Sequence, residues 1–178
     1  MSHLIIQTNR LVIKDLMPSN AEGMFNYRAD EEISKYQSFC PQTIKEVLDF
    51  IRDNTIKFNK QNNWFQVGIF NENKLIGDIG LHFIGPNNKQ VEIGYTIGRE
   101  FQRQGFGKEA VIGVINYLFN DLKKHRIVAS LDPQNTASIA LLESIGFRKE
   151  GLLKKSIFNR GVWEDDLLYG LLYEEWMT

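Results

Sequence analysis

The apolar positions of the chain change period several times, and each change predicts an element. Leu11, Val12 and Ile13 form a short, partly β-branched run between Arg10 and Lys14, as a short strand does. Pro18, Ser19 and Asn20 supply a turn and a helix cap, and 21–27 follows as a short helix. Pro41, Gln42 and Thr43 open a longer helix. Its apolar residues Ile44, Val47, Leu48, Ile51 and Ile56 fall mostly at helical spacing, and Thr43 with Glu46 has capping-box form. Residues 64–70 and 74–83 flank turn chemistry at Asn71, Glu72 and Asn73, which predicts a hairpin. A turn at 85–88 precedes a further strand at 91–97. The broad stripe of Ala110, Val111, Val114, Ile115, Leu118 and Phe119 predicts a helix over 106–122. The compact run 126–131 reads as a buried strand, 136–145 as a helix ended by Gly146, and 147–158 and 163–172 as two strands joined at Asn159, Arg160 and Gly161.

The order is strand, two helices, three strands, helix, strand, helix, two strands. It predicts an α/β (α+β) sandwich, with helices covering a mostly antiparallel sheet and a right-handed parallel crossover between 91 and 131. The 178 residues suit one domain spanning 1–178, and no repeat, low-complexity tract or linker divides them. A hydrophobic fraction of 43% belongs to a chain with a real core. A net charge of −1 argues against a broad nucleic-acid footprint but leaves room for a local phosphate site. Cys40 is the only cysteine, so no intramolecular disulfide forms, which fits a reducing cytoplasm. The first ten residues lack the pattern of a signal peptide, and the run 111–119 is broken by Gly113 and Asn116. The expectation is a soluble, cytoplasmic protein without membrane association.

The most informative segment is Gln102-Arg103-Gln104-Gly105-Phe106-Gly107-Lys108, between a strand and an amphipathic helix. The first turn of a helix carries unpaired amides and partial positive charge, and glycines let that backbone approach an anion. A pyrophosphate suits such a site, and Arg103 and Lys108 add charge. A phosphate-binding P-loop needs a hydroxyl after the lysine, where Glu109 stands; the dinucleotide fingerprint needs a third glycine. A tight strand-to-helix turn with no ligand is the other reading of these glycines.

Gln102-x-x-Gly105-x-Gly107 resembles the acyl-coenzyme A signature of the GNAT acetyltransferases. The chain is similar over nearly its whole length to their RimJ/RimL-like branch, the ribosomal-protein N-terminal acetyltransferases. The similarity is carried by Thr8-Asn9-Arg10-Leu11-Val12-Ile13, Val91-Glu92-Ile93-Gly94-Tyr95, Asn135-Thr136-Ala137-Ser138, Gly146-Phe147 and Trp163-Glu164-Asp165-Asp166. The resemblance implies a curved sheet whose fourth and fifth strands, 91–97 and 126–131, splay apart around acetyl-coenzyme A. It implies that the backbone at Tyr95, Thr96 and Ile97 holds the pantetheine arm. Gln102, Arg103, Gln104, Gly105, Phe106, Gly107 and Lys108 would take the pyrophosphate, and Asn135 would touch the arm.

Acetyl transfer to an amine requires an unprotonated nucleophile, a stabilised thioester oxygen and a stabilised leaving sulfur. An α-amine has a reference pKa of about 8 and a lysine of about 10.4, so a base is needed at neutral pH. Glu92 is the candidate; a solvated or salt-bridged strand carboxylate is its alternative reading. A backbone amide among Tyr95, Thr96 and Ile97 would polarise the carbonyl. Many GNAT enzymes carry a tyrosine where this chain has Leu142. Ser138 is the substitute that the ribosomal-protein branch suggests for assisting the sulfur, against a purely helical role, and Tyr95 is a weaker alternative. His82 and His125 have no partner at metal-ligand spacing, so no metal is expected. His82 lines the acceptor groove or plays a structural role, Trp64, Trp163 and Trp176 read as packing residues, and Glu164, Asp165 and Asp166 as a solvated edge or an attractor of a cation. The acceptor is a protein N-terminus, or a small amine such as a polyamine, amino acid or aminoglycoside-like compound. A non-catalytic acyl-coenzyme A-binding module is a third reading. The resemblance admits a homodimer, and no residue specifies its interface.

Overall fold

The computed structural model describes residues 4–177. The elements in chain order are β1 (Ile5–Gln7), β2 (Val12–Asp15), α1 (Ala21–Arg28), α2 (Glu31–Ser34), α3 (Ile44–Asn54), β3 (Asn63–Asn71), β4 (Lys74–Ile84), β5 (Gln90–Ile97), α4 (Phe106–Asn116), β6 (Arg126–Leu131), α5 (Thr136–Ile145), β7 (Arg148–Asn159), β8 (Val162–Leu172) and α6 (Tyr173–Trp176). Every element predicted from the pattern is present. The additions, β1, α2 and α6, are 3 or 4 residues long, too short to display a period. α4 runs on into a π-helical turn at Tyr117–Asp121, which keeps Leu118 and Phe119 buried. No helix among the described residues is long and apolar enough to cross a membrane.

The eight strands form one sheet in the order β1-β2-β3-β4-β5-β6-β8-β7. β5 and β6 are parallel and the other neighbours antiparallel. Alternation in β3 to β5 sends Phe65, Val67, Ile79, Leu81, Val91 and Ile93 into a core shared with Ala110, Val111, Val114 and Ile115 of α4. Burying each such aliphatic side chain contributes about 1.5–3 kcal/mol. A second cluster, with Leu16, Met24, Val47 and Ile51, gathers α1 and α3. The predicted stripe of α3 is only half used: Val47 and Ile51 are buried, Ile44 and Leu48 are partly exposed, and Ile56 lies beyond the helix end. Thr43 Oγ1 accepts from Glu46 N at 3.3 Å, but the Glu46 carboxylate accepts from Gln42 N at 2.9 Å, so the reciprocal half of the capping box is shifted by one residue.

The two faces are tied by polar groups that the pattern did not disclose. Asp78 is fully buried in β4. It accepts from Tyr27 Oη at 2.6 Å, Arg28 Nε at 3.0 Å, Gln66 Nε2 at 2.6 Å and Arg28 Nη2. Burial foremost, then Asp78, raises the Tyr27 pKa well above the usual value, so its hydroxyl stays a donor. Burial alone would lower the Arg28 pKa; Asp78 outweighs it and raises it.

Glu109 in the first turn of α4 accepts from Thr8 Oγ1, Arg10 N and Arg10 Nε, each at 2.7 Å. Partial burial would raise its pKa, but these bonds together lower it. A depressed carboxylate contributes stability that is present above its unfolded pKa of about 4.3 and lost as pH falls through the folded value. Glu109→Gln is therefore expected to lower the melting temperature near pH 7 and to shrink the parent's loss of stability below about pH 4. Thermal melts across pH measure this; parallel curves for the two proteins would refute it.

Candidate active site

The sheet opens between β5 and β6. Their register covers only Gln90↔Arg126, Val91↔Ile127 and Glu92↔Val128, while β6 stays paired with β8 from Arg126 to Leu131. From Ile93 onward β5 has no strand on that side. The free backbone groups can be assigned by parity. Gly98 N donates to Ile76 O at 2.8 Å, in register with the β4–β5 ladder. In an antiparallel ladder hydrogen-bonded pairs recur every second residue, so Glu92, Gly94 and Thr96 bond to β4. The amides and carbonyls of Ile93, Tyr95 and Ile97 face the gap. Gln102 Nε2 donates to Ile97 O at 2.9 Å, which leaves the Ile97 amide. Thr96 differs from its neighbours: its backbone is committed to Asp78 and its side chain is buried on the opposite face. Of the three backbone positions, Tyr95 and Ile97 face the gap and Thr96 faces β4.

The first turn of α4 adjoins this gap. Gly105, the residue before the helix, has φ +80°, a conformation that L side chains rarely adopt. Glu109 N makes the bond to Gly105 O at 3.0 Å, so the amides before it have no carbonyl one turn back. A Cβ at Gly107 would sit 3.3 Å from Leu141 of α5 and 3.4 Å from Ile97, which places this turn against the end of β5. Gln104, Arg103 and Lys108 are exposed. Lys108 Nζ donates to Ser144 O at 3.1 Å, and Gln104 Nε2 to Glu100 O at 2.7 Å. The Phe106 side chain is buried beneath the Arg10 guanidinium, 4.3 Å from the ring centre.

A groove of about 520 Å³ reaches through the gap. On the sheet face away from α4 its lining takes Trp64 and Glu92 from one cross-strand row, with His82 between them outside the lining, and Gln66, Gly80 and Gly94 from the next row. A Cβ at Gly94 would meet nothing within 4 Å, so the second row is open there. The lining also takes Tyr95, Ala129, Asn135 and Ser138 from the α4 and α5 side. Glu92 and Ser138, on different elements, thus share one groove. Asn135 Oδ1 caps α5 by accepting from Ser138 N at 3.2 Å. Tyr95 Oη donates to Ser138 O at 3.3 Å, and burial pushes the Tyr95 pKa up to about 12. Leu142 is buried at the groove edge, where an acid is absent.

Five carboxylates line the groove (Glu92, Asp132, Glu164, Asp165 and Asp166) against one arginine, Arg28, whose charge Asp78 neutralises. Asp166 is buried and accepts from Ser130 Oγ at 2.6 Å. The acidic run is therefore a groove wall and not a solvated edge. Trp64 lines the groove, while Trp163 stands exposed beside Phe158, and Trp176 donates to Asn116 Oδ1 at 2.9 Å. Segment 31–63 adds Tyr36, Gln37, Phe39 and Phe50 to the wall. Tyr36, Gln37 and Phe39 come from the loop after α2 and Phe50 from α3. The signal missed for Asp78 was legible: a lone charge inside an apolar strand requires a buried partner. Among the described residues no group of three or more His, Cys, Asp or Glu side chains is placed to hold a metal ion.

The model of the acetyltransferase (GNAT) domain matches residues 10–148. The uncharacterised N-acetyltransferase p20 of Bacillus licheniformis is 34% identical over 173 residues, 96% of this chain and 97% of that protein. The [ribosomal protein uS5]-alanine N-acetyltransferase of Escherichia coli is 29% identical over 96% of this chain and 92% of its own length. A GNAT-family acetyltransferase from Bacillus anthracis superposes with a TM-score of 0.87 at 28% identity, covering 96% of this chain and 99% of that one. With the splayed β5–β6 pair and the glycine-capped α4, these matches establish that the chain belongs to the GNAT family of N-acetyltransferases.

Proposed function

We propose that the chain transfers the acetyl group of acetyl-coenzyme A to the α-amine of a protein N-terminus. The observation that carries this reading is the groove that passes through the sheet. It gives a donor on the α4 side and an acceptor on the acidic side access to one point, beside Glu92 and Ser138. The residues present fit the donor: αL geometry at Gly105, free amides in the first turn of α4, and backbone groups of Tyr95 and Ile97 turned to the gap. Acetyl-coenzyme A supplies an activated thioester. Arg103 adds positive charge near the diphosphate, and Gln102 braces β5 against the turn.

Glu92 takes a proton from the acceptor ammonium, directly or through water. The carboxylates around it favour an ammonium over a neutral or anionic acceptor. The Tyr95 or Ile97 amide polarises the acetyl carbonyl, a fixed dipole that needs no reorganisation. Ser138 donates a hydrogen bond to the departing sulfur without surrendering its proton; the thiolate takes up the second proton, which the attacking nitrogen sheds as the amide forms. Tyr95, with its pKa near 12, keeps its own proton and supports the Ser138 carbonyl. The choice of an α-amine rests on the Escherichia coli relative, whose name gives ribosomal protein uS5 alanine as its acceptor.

The test is a peptide pair that shares an internal lysine and differs only in a free or blocked α-amine. Thiol release from acetyl-coenzyme A is expected with the free peptide and not with the blocked one. Equal rates would place the acceptor on a side chain, and turnover only with polyamines or aminoglycosides would move it to a small molecule.

A further inference from the structure

We propose that His82 is a positioning residue for Glu92, fixing the orientation in which the carboxylate accepts a proton from the acceptor amine. The inference rests on the reading of Glu92 as the base. His82 and Glu92 are direct cross-strand partners on β4 and β5, and Trp64 is the partner of His82 on β3. His82 Nδ1 lies 3.1 Å from Glu92 Oε2. The imidazole also stacks on Trp64, with ring centres 4.7 Å apart and planes inclined by 12°. Trp64 and Glu92 line the groove, whereas His82 lies outside its lining. The imidazole is therefore held between an aromatic face and a carboxylate, one from each neighbouring strand.

The chemistry of the pair sets the tautomer. An ionised carboxylate only accepts, so in this bond Nδ1 carries the hydrogen. The bond occupies Oε2 and leaves Oε1 to meet the acceptor. Side chains of the pair are 26% and 27% exposed, so water screens the bond only in part. The other charges along the groove are already engaged: Arg28 with Asp78, Asp166 with Ser130, Asp165 with Lys154, Glu164 with Asn159 and Asp132 with the Gln134 amide. In the adjoining row Gly94, next to Glu92 on the same face of β5, has open space above it, while Gln66 and Trp64 cover Gly80.

The experiment is a double-mutant cycle of His82→Phe and Glu92→Gln, with His82→Asn as the conservative variant. Phenylalanine keeps a ring for Trp64 and removes the donor; asparagine places an amide N–H where Nδ1 stood. The readouts are kcat, KM for acetyl-coenzyme A, and melting temperature. His82→Phe should lower kcat about tenfold, the scale of one hydrogen bond to a charged group, with KM for acetyl-coenzyme A within about twofold. His82→Asn should recover most of that loss, and the double variant should be no slower than Glu92→Gln alone. If His82→Phe does not fold, His82→Leu takes its place in the cycle. An unchanged kcat in the His82 variants beside a crippled Glu92→Gln would overturn this inference alone, as would multiplicative losses. Parent-level activity in Glu92→Gln would overturn the base assignment together with it.

Discussion

Glu92→Gln should lower kcat by about 10²–10⁴-fold, the usual contribution of a positioned general base. Binding of acetyl-coenzyme A should change by less than about twofold. Glutamine keeps the shape of the side chain and an oxygen for His82, but its amide does not take up a proton. The gap that would receive the donor is built from the backbone of β5 and the first turn of α4, neither of which the substitution disturbs. The loss should therefore appear in kcat and not in donor KM, and it should shrink as pH approaches the pKa of the acceptor amine, about 8 for an α-amine. There the amine arrives unprotonated and the base is less needed. Steady-state kinetics from pH 6 to 9 measure this; a pH-independent deficit would show that Glu92 acts by packing or charge instead.

Arg28→Met should be the most damaging substitution for stability. Arg28 is buried, and its guanidinium makes two contacts to the fully buried Asp78. Removing it leaves a carboxylate held only by Tyr27 and Gln66. Breaking a buried pair from one side costs about 3–5 kcal/mol, because the remaining charge has no water. For a chain of this length that corresponds to a fall in melting temperature of about 10 °C. Adding Asp78→Asn to Arg28→Met should restore part of the loss by removing the stranded charge. A double variant less stable than Arg28→Met would mean that the carboxylate is valued for something other than its pairing with Arg28. The same substitution removes the arginine from the groove wall, so activity should be compared below the melting transition.

Much of this architecture was legible because its elements are long and periodic. The stripe of α4 identified its core face, the turn residues between 64–70 and 74–83 identified the β3–β4 hairpin, and Gly105 and Gly146 marked helix ends where φ is indeed positive. β1, α2 and α6 were invisible because one turn or three residues carry no period. The site was read unevenly for a physical reason. Glu92 alternates with Val91 and Ile93, so its direction follows from the strand pattern, whereas Ser138 was singled out by the family resemblance alone. Thr96 faces β4 because of which pairs in the ladder are hydrogen-bonded, a property of tertiary pairing that no local pattern contains. The partnership of Trp64, His82 and Glu92 likewise requires the register of three strands. Tyr36, Gln37 and Phe39 reach the groove from an irregular loop, and Asp165 and Asp166 become a wall only when β8 lies beside β6.

The central claim is that free amides at the start of α4 hold the diphosphate of coenzyme A beside the β5–β6 gap. Calorimetric titration of the parent protein with acetyl-coenzyme A and with S-acetyl-pantetheine, which lacks the diphosphate, addresses it directly. Two hydrogen bonds to a charged group contribute about 3 kcal/mol, so the fragment should bind at least about 100-fold more weakly than a 1:1 acetyl-coenzyme A complex. Equal affinity for the two ligands, or no association of folded protein with acetyl-coenzyme A, would contradict the account.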